Sequence, residues 1–115
     1  MAAPTIDRAT FDALKETTGA EFVAELIDTF LEEAPAMLRE LADALAAGDA
    51  DRFRRAAHSL KSNGNTFGAL ALGAMARDLE LGGMAKVNEG SGAPLAELGD
   101  EYARVASALT ELRHA

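Results

Sequence analysis

Hydrophobic positions recur at steps of three and four residues along nearly the whole chain. This spacing places apolar side chains on one face of an α-helix, whereas a half-buried strand would alternate every two residues. No segment combines such alternation with β-branched residues and turn signals. The pattern therefore predicts an all-α protein.

Five helices are predicted from this spacing and from the residues that end each run. A short first helix extends from about Asp7, its N-cap, to Glu16, and Gly19 follows it. Four longer helices are predicted over about 20–47, 51–68, 69–82 and 93–113, with a loop over 88–94. Long amphipathic helices with short connections favour an antiparallel up-and-down four-helix bundle, on which the first helix forms a lid. The length of 115 residues predicts a single domain over 1–115.

Pro35 interrupts the second predicted helix. Proline removes one backbone hydrogen bond and clashes with the preceding turn, so this run is either one kinked helix or two helices that meet near Ala34. One long helix, kinked at the proline, is the favoured interpretation.

The third predicted helix carries an apolar seam that should face the core. Its members are Phe53, Ala57, Leu60, Gly64 and Phe67. Within this seam, Gly64 is expected to allow close packing of a neighbouring helix. Gly68 follows the seam and is expected to end or bend the helix.

Charge and composition exclude several classes of function. Nineteen acidic and eleven basic residues give a net charge of −8, which should repel nucleic acid and anionic membranes. The absence of cysteine excludes disulfides, thiolate metal sites and cysteine nucleophiles. No apolar run approaches the roughly 18 residues of a membrane span, and the first residues do not resemble a secretory signal. A soluble, cytoplasmic protein is expected.

The polar face of the third helix departs from this acidic average. Between Arg52 and Lys61 the sequence places four of the eleven basic residues, and Asp51 is the only acid in 51–68. We call these four residues, Arg52, Arg54, Arg55 and Lys61, the basic stripe. At about 100° per residue, Arg54, His58 and Lys61 are expected to face one point in solvent.

His58 is the candidate nucleophile of this face. A neutral imidazole can attack an electrophilic phosphorus, and a nearby ammonium such as that of Lys61 would attract the phosphoryl oxygens. The same spacing also fits an ordinary solvated histidine. A metal site is not indicated, because His114 is the only other histidine and no ligand spacing is present.

The segment from Ala57 to Lys61, followed by Gly68-Ala69 and Leu79-Glu80, resembles the signature of histidine-containing phosphotransfer domains. That family has a histidine, a lysine three positions later, a small residue next, a glycine ten positions after the histidine, and an apolar-acidic pair on the following helix. His58, Lys61, Ser62, Gly68 and Leu79-Glu80 occupy these positions. Ser62 departs from the usual glycine, whose missing side chain lets a partner approach the histidine.

The resemblance implies a phosphorelay intermediate in two-component signal transduction. His58 would accept a phosphoryl group from the aspartyl phosphate of a receiver domain and pass it to an aspartate of a response regulator, while Lys61 stabilises charge. The outer imidazole nitrogen, Nε2, is the expected site of phosphorylation. The receiver would supply Mg²⁺, so the chain needs no cofactor or ATP site of its own and is a carrier rather than an enzyme.

Receiver domains of hybrid histidine kinases and of response regulators are the expected partners. They should dock around the histidine, with the basic stripe steering an acidic receiver pocket. The expected docking residues are Arg54, Arg55, Ala57, Ser62, Asn65 and Thr66. The chain is expected to be a monomer.

Two alternatives remain open at this point. The chain could be the phosphoacceptor module of a chemotaxis-type kinase, loaded by a catalytic domain acting in trans. It could also be a four-helix adaptor that binds receiver or kinase domains without being phosphorylated, an interpretation supported only by Ser62.

Overall fold

The computed structural model describes residues 5–89 and 93–113. Within these two ranges the backbone forms five α-helices and no strand, which confirms the all-α prediction. The helices are α1 (Arg8–Thr18), α2 (Ala20–Ala47), α3 (Ala50–Thr66), α4 (Leu70–Glu89) and α5 (Ala93–Arg113). No helix in the described ranges is long and apolar enough to cross a lipid bilayer.

The four long helices form a bundle in which each helix has two long neighbours. Helix α3 packs between α2 and α4, and α5 closes the ring against α4 and α2. Helix α1 lies against α2 and α3. Buried hydrophobic side chains from all five helices form one cluster. The predicted four-helix bundle with a short additional N-terminal helix is therefore confirmed.

Local caps set several helix ends, and the predicted N-cap of the first helix is confirmed. The Asp7 side chain accepts a hydrogen bond from the backbone N–H of Thr10 at 3.1 Å, which makes Asp7 the N-cap of α1. Helix α2 ends at Gly48, whose φ of 69° lies in the left-handed region. Asp49 then caps α3 by accepting from the N–H of Arg52.

Pro35 lies inside α2, which continues through it as one helix. The prediction of a single long helix is confirmed. Proline has no N–H to donate to the carbonyl of Leu31, one turn earlier. That carbonyl accepts a long hydrogen bond of 3.4 Å from the Tyr102 hydroxyl of α5. The neighbouring helix α5 thus supplies a donor to the carbonyl that lacks its usual backbone hydrogen bond because of the proline.

The predicted end of the fourth helix at Gly82 is confirmed, because regular helical geometry stops there. A second helical segment, which the sequence analysis did not predict, continues α4 to Glu89. Gly83 has φ 63° and ψ −162°, so the helix is interrupted there and then resumes. Val87, in the second segment, is buried in the core and anchors it. The predicted loop over 88–94 is wrong at both edges, and its residues 90–92 lie outside the described residues.

Two glycines shape the turn between α3 and α4 as predicted. Gly64 is buried, and a Cβ there would lie 3.4 Å from Leu72 Cδ2, which shows how closely α4 packs on α3. Gly68 follows the end of α3 with a φ of 85°, and its carbonyl accepts from the Asp7 N–H at 2.8 Å. A Cβ on Gly68 would lie 2.7 Å from the Asp7 carbonyl oxygen, so only glycine fits without a shift.

Candidate functional site

The apolar seam of α3 fixes the orientation of the helix about its own axis. All five predicted seam residues, Phe53, Ala57, Leu60, Gly64 and Phe67, are buried. Their burial turns the opposite face of α3 outward, and the side chain of His58 is 56% exposed there. The core packing of α3 therefore presents the imidazole to solvent from a rigid helix.

One carboxylate from α4 contacts both candidate reactive side chains of α3. His58 Nδ1 lies 2.6 Å from Glu80 Oε2, and Lys61 Nζ donates to Glu80 Oε1 at 2.7 Å. The Glu80 side chain is only 13% exposed, and that of Lys61 is 24% exposed. The carboxylate thus lies beneath the histidine and orients it from the α4 side.

The charge state of Glu80 determines which imidazole nitrogen can react. The hydrogen bond from Lys61 lowers the pKa of Glu80 below its ordinary value of 4.5, and the contact with His58 adds to this shift against the effect of burial. An ionised carboxylate only accepts hydrogen bonds, so we assign the shared proton to Nδ1 of His58. In the neutral ring the lone pair then lies on Nε2. With this assignment, Nε2 is the ring nitrogen that carries a free lone pair.

Sequence reasoning gave Glu80 no role of its own, only a place in the apolar-acidic pair of the resemblance. A signal was present, because His58 and Glu80 each stand eleven residues from Ala69 in the turn between the two helices. Residues at equal distances from the turn of an antiparallel helix pair lie opposite each other. Counting residues from the turn could therefore have placed Glu80, next to the buried Leu79, opposite His58.

Each cation of the basic stripe is paired with a carboxylate. Arg52 binds Glu40 of α2 through two hydrogen bonds, of 2.6 and 3.1 Å, and Lys61 binds Glu80. Arg54 and Arg55 both pair with Asp51, at 2.9 and 3.4 Å. The expected convergence of Arg54 on His58 is wrong, because its guanidinium turns back to this acid at the start of the helix. The stripe is less positive than its sequence suggests.

The remaining predicted docking residues fall into two groups. Ser62, Asn65 and Thr66 are exposed, and the Thr66 hydroxyl donates to the Ser62 carbonyl at 2.9 Å. Ala57 is fully buried, so its predicted place on the docking surface is wrong. The sequence put Ala57 both in the seam and beside the histidine, and core packing takes it into the seam.

None of the four best-defined cavities among the described residues is lined by His58. A groove of about 720 Å³ lies between α2 and α3 and includes Ser59 in its lining, but not His58, Lys61 or Glu80. In the described part of the chain, no group of three His, Asp or Glu side chains could hold a metal ion. His114 lies outside the described residues. The imidazole is thus open to a second macromolecule, which can cover it from outside.

Comparisons with known proteins agree with this arrangement. Residues 25–115 match the family model described as Hpt domain. The fold is similar to the crystal structure of histidine-containing phosphotransfer protein B (HptB) from Pseudomonas aeruginosa PAO1, with a TM-score of 0.85 and 30% sequence identity. That match covers 98% of this chain and 97% of the other. A search among curated proteins gives no significant match.

Proposed function

This chain belongs to the Hpt domain family, and we propose that it carries a phosphoryl group on His58 between receiver domains of a phosphorelay. Domains of this family are histidine phosphotransfer modules of two-component signalling. The observation that carries the residue assignment is the 2.6 Å contact between His58 Nδ1 and the Glu80 carboxylate. It leaves an exposed, unprotonated Nε2 on a rigid helix.

The proposed transfer is an in-line displacement at phosphorus. The Nε2 lone pair of His58 attacks the phosphorus of the receiver's aspartyl phosphate, the bond from phosphorus to the aspartate oxygen breaks, and the aspartate leaves as a carboxylate. Because Nε2 carries no proton, this chain needs no general base. The ring keeps its Nδ1 proton, and the adjacent Glu80 carboxylate stabilises the positive charge that develops on the imidazole. The reverse displacement loads the next receiver.

Lys61 supplies positive charge beside the reacting atoms. Its ammonium shares Glu80 with His58, so it lies on the same side of α3 as the nucleophile. We propose that the Lys61 ammonium also donates hydrogen bonds to the phosphoryl oxygens. It has three N–H donors, so it can bind the Glu80 carboxylate and the phosphoryl group at the same time. In this proposal the receiver domain binds the Mg²⁺, and this chain binds neither a cofactor nor ATP.

Receiver docking is proposed around the exposed end of His58. Ser62, Asn65 and Thr66 continue the same side of α3 and contribute short polar side chains that permit close approach. Arg54 and Arg55 add long-range attraction for an acidic receiver, reduced by their pairing with Asp51.

A label-transfer experiment tests the proposal. The purified full chain is mixed with Mg²⁺ and a receiver domain carrying a ³²P-labelled aspartyl phosphate, with His58→Gln in parallel. We expect acid-labile, base-stable label on the wild type and none on the variant. The histidine is exposed, so circular dichroism should show the same helix content for both chains.

Equal labelling of His58→Gln would remove His58 from the mechanism. A folded wild type that binds a receiver but takes no label from it or from others would support the adaptor function instead. Labelling only by ATP and a chemotaxis-type kinase domain would identify a kinase phosphoacceptor module.

A further inference from the structure

Gly73 of α4 is a glycine that the backbone does not require. It is buried inside the helix and is not among the glycines with positive φ. Glycine destabilises a helix relative to alanine, because it has more backbone freedom to lose on folding. Its presence in α4 therefore needs another explanation.

The side chain of Asn65, on α3, occupies the space that a Cβ on Gly73 would take. Such a Cβ would overlap Asn65 Oδ1 and lie 2.7 Å from its Cγ and 3.1 Å from its Nδ2. The amide group thus lies next to the backbone of α4 at this point, with Oδ1 closest to Gly73. An alanine at position 73 would push it away.

Asn65 is also well placed to meet a partner of His58. It follows His58 by seven residues, which is two helical turns, or about 10 Å, along the same side of α3. Its side-chain amide lies next to α4 and makes no hydrogen bond within the described ranges. Oδ1 is the amide atom nearest to the Gly73 position and Nδ2 is the farthest, so the unpaired Nδ2 donor is the group offered to an incoming protein. A standard interface buries about 800 Å² per partner, which corresponds to a circle of roughly 16 Å radius. A receiver domain centred on His58 would therefore also cover Asn65.

We propose that Gly73 is a positioning residue that leaves room for the Asn65 amide beside α4, where the amide is a hydrogen-bonding contact for the receiver domain that exchanges phosphoryl groups with His58. The inference rests on the proposed function and adds a specific docking contact to it. A side chain that packs against a neighbouring helix has fewer rotamers to lose on binding, so the contact contributes more affinity. Because Asn65 lies two helical turns, about 10 Å along α3, from His58, it acts on docking and not on the chemical step.

Gly73→Ala and Asn65→Ala test this role. The probe is the ³²P-labelled receiver domain that loads the wild-type chain fastest, titrated in single-turnover transfer. Both variants should raise the half-saturating receiver concentration by about three- to tenfold, the effect of losing one hydrogen bond, while the maximal rate stays unchanged. The melting temperature of Gly73→Ala should stay the same or rise, since alanine favours the helix.

Two further variants separate positioning from general effects. The double variant Gly73→Ala/Asn65→Ala should be no weaker than either single variant, because both remove the same contact. Gly99→Ala in α5 makes the same exchange where a Cβ would meet open space, and it should leave transfer unchanged.

A wild-type half-saturating concentration in Asn65→Ala would overturn the inference, as would independent, multiplying effects of the two substitutions. A lower melting temperature of Gly73→Ala with unchanged docking would show a structural role alone. If the wild type takes no label, the proposed function fails, and calorimetric binding of the same receiver to wild type and Asn65→Ala still tests the contact. Equal affinities would then reject it.

Discussion

The Nδ1 atom of His58 lies 2.6 Å from Oε2 of Glu80, whose other oxygen accepts a hydrogen bond from Lys61 at 2.7 Å. One carboxylate thereby fixes both an imidazole and an ammonium on the neighbouring helix. Because both helices are anchored in the core, these groups are in place before a partner arrives. In-line phosphoryl transfer depends mainly on such positioning and on charge, which is what a carrier can provide.

Replacing Glu80 by Gln tests the orientation of the ring. The amide keeps the shape of the side chain but loses the charge that selects the Nδ1-protonated tautomer and stabilises the developing imidazolium. We expect transfer from a labelled receiver to slow on the order of tenfold, as for other carboxylates that orient a histidine. ¹⁵N NMR of the imidazole should show a larger share of the Nε2-protonated tautomer.

Asp78→Asn provides the matched control for Glu80→Gln. Asp78 lies on the same helix, is exposed, and has no hydrogen bond or ion pair within the described ranges. Its replacement removes the same charge and should leave rate and tautomer unchanged. Equal slowing by both variants would indicate an effect of net charge and not of the contact with His58.

Lys61→Ala tests the proposed contact with the phosphoryl group. Its removal should slow transfer to His58 or shorten the lifetime of the phosphohistidine by about tenfold, the effect of one lost charge-assisted hydrogen bond. The helix content should be unchanged by circular dichroism, since the interaction lost is one side-chain contact with Glu80 and alanine favours the helix. Arg39→Ala removes an exposed cation from α2 and should change neither quantity. Wild-type rate and lifetime in Lys61→Ala would rule out the contact.

The stability of the bundle should depend on pH through Glu80. Its pKa is lowered in the folded chain, chiefly by the Lys61 hydrogen bond, so the unfolded chain binds its proton more readily. The resulting stabilisation is present above the ordinary value of 4.5 and is lost as the pH falls below it, through the lower folded pKa. Urea unfolding at several pH values should therefore show a shallower acid loss in Glu80→Gln than in wild type. An identical slope would show that this ion pair does not contribute.

The helical period in the sequence was sufficient to predict the bundle, and the two helix-breaking signals, at Pro35 and at Gly82-Gly83, had different outcomes. Pro35 did not divide α2, because the run on both sides is amphipathic and Tyr102 meets the carbonyl it frees. Gly83 does end the first helical segment of α4, as predicted, and a second segment follows in which Val87 is buried. Local propensity indicates where a helix is weak, and tertiary burial determines whether it continues.

The sequence was sufficient to predict which site residues share the outer face of α3, but not which side chains of α3 and α4 contact each other. Helical periodicity placed His58 and Lys61 on the outer face of α3. The partners of long flexible side chains cannot be read from periodicity, and Arg54 turned to Asp51 instead of the histidine. Glu80 contacts His58, and Gly73 leaves room for Asn65, across the packing of α3 and α4, so both relationships appear only when the register of the two helices is known.

Gly68→Ala should destabilise the bundle more than Gly48→Ala. Both glycines have positive φ, of 85° and 69°, so each alanine costs about 1–2 kcal/mol in backbone strain. Only at Gly68 would the new Cβ also lie 2.7 Å from the Asp7 carbonyl oxygen, whereas at Gly48 it would meet no atom within 4 Å. The additional loss, about 1–3 kcal/mol, reflects displacement of the segment before α1. Urea unfolding of both variants measures this difference, and equal losses would show that the Asp7 contact does not constrain the turn.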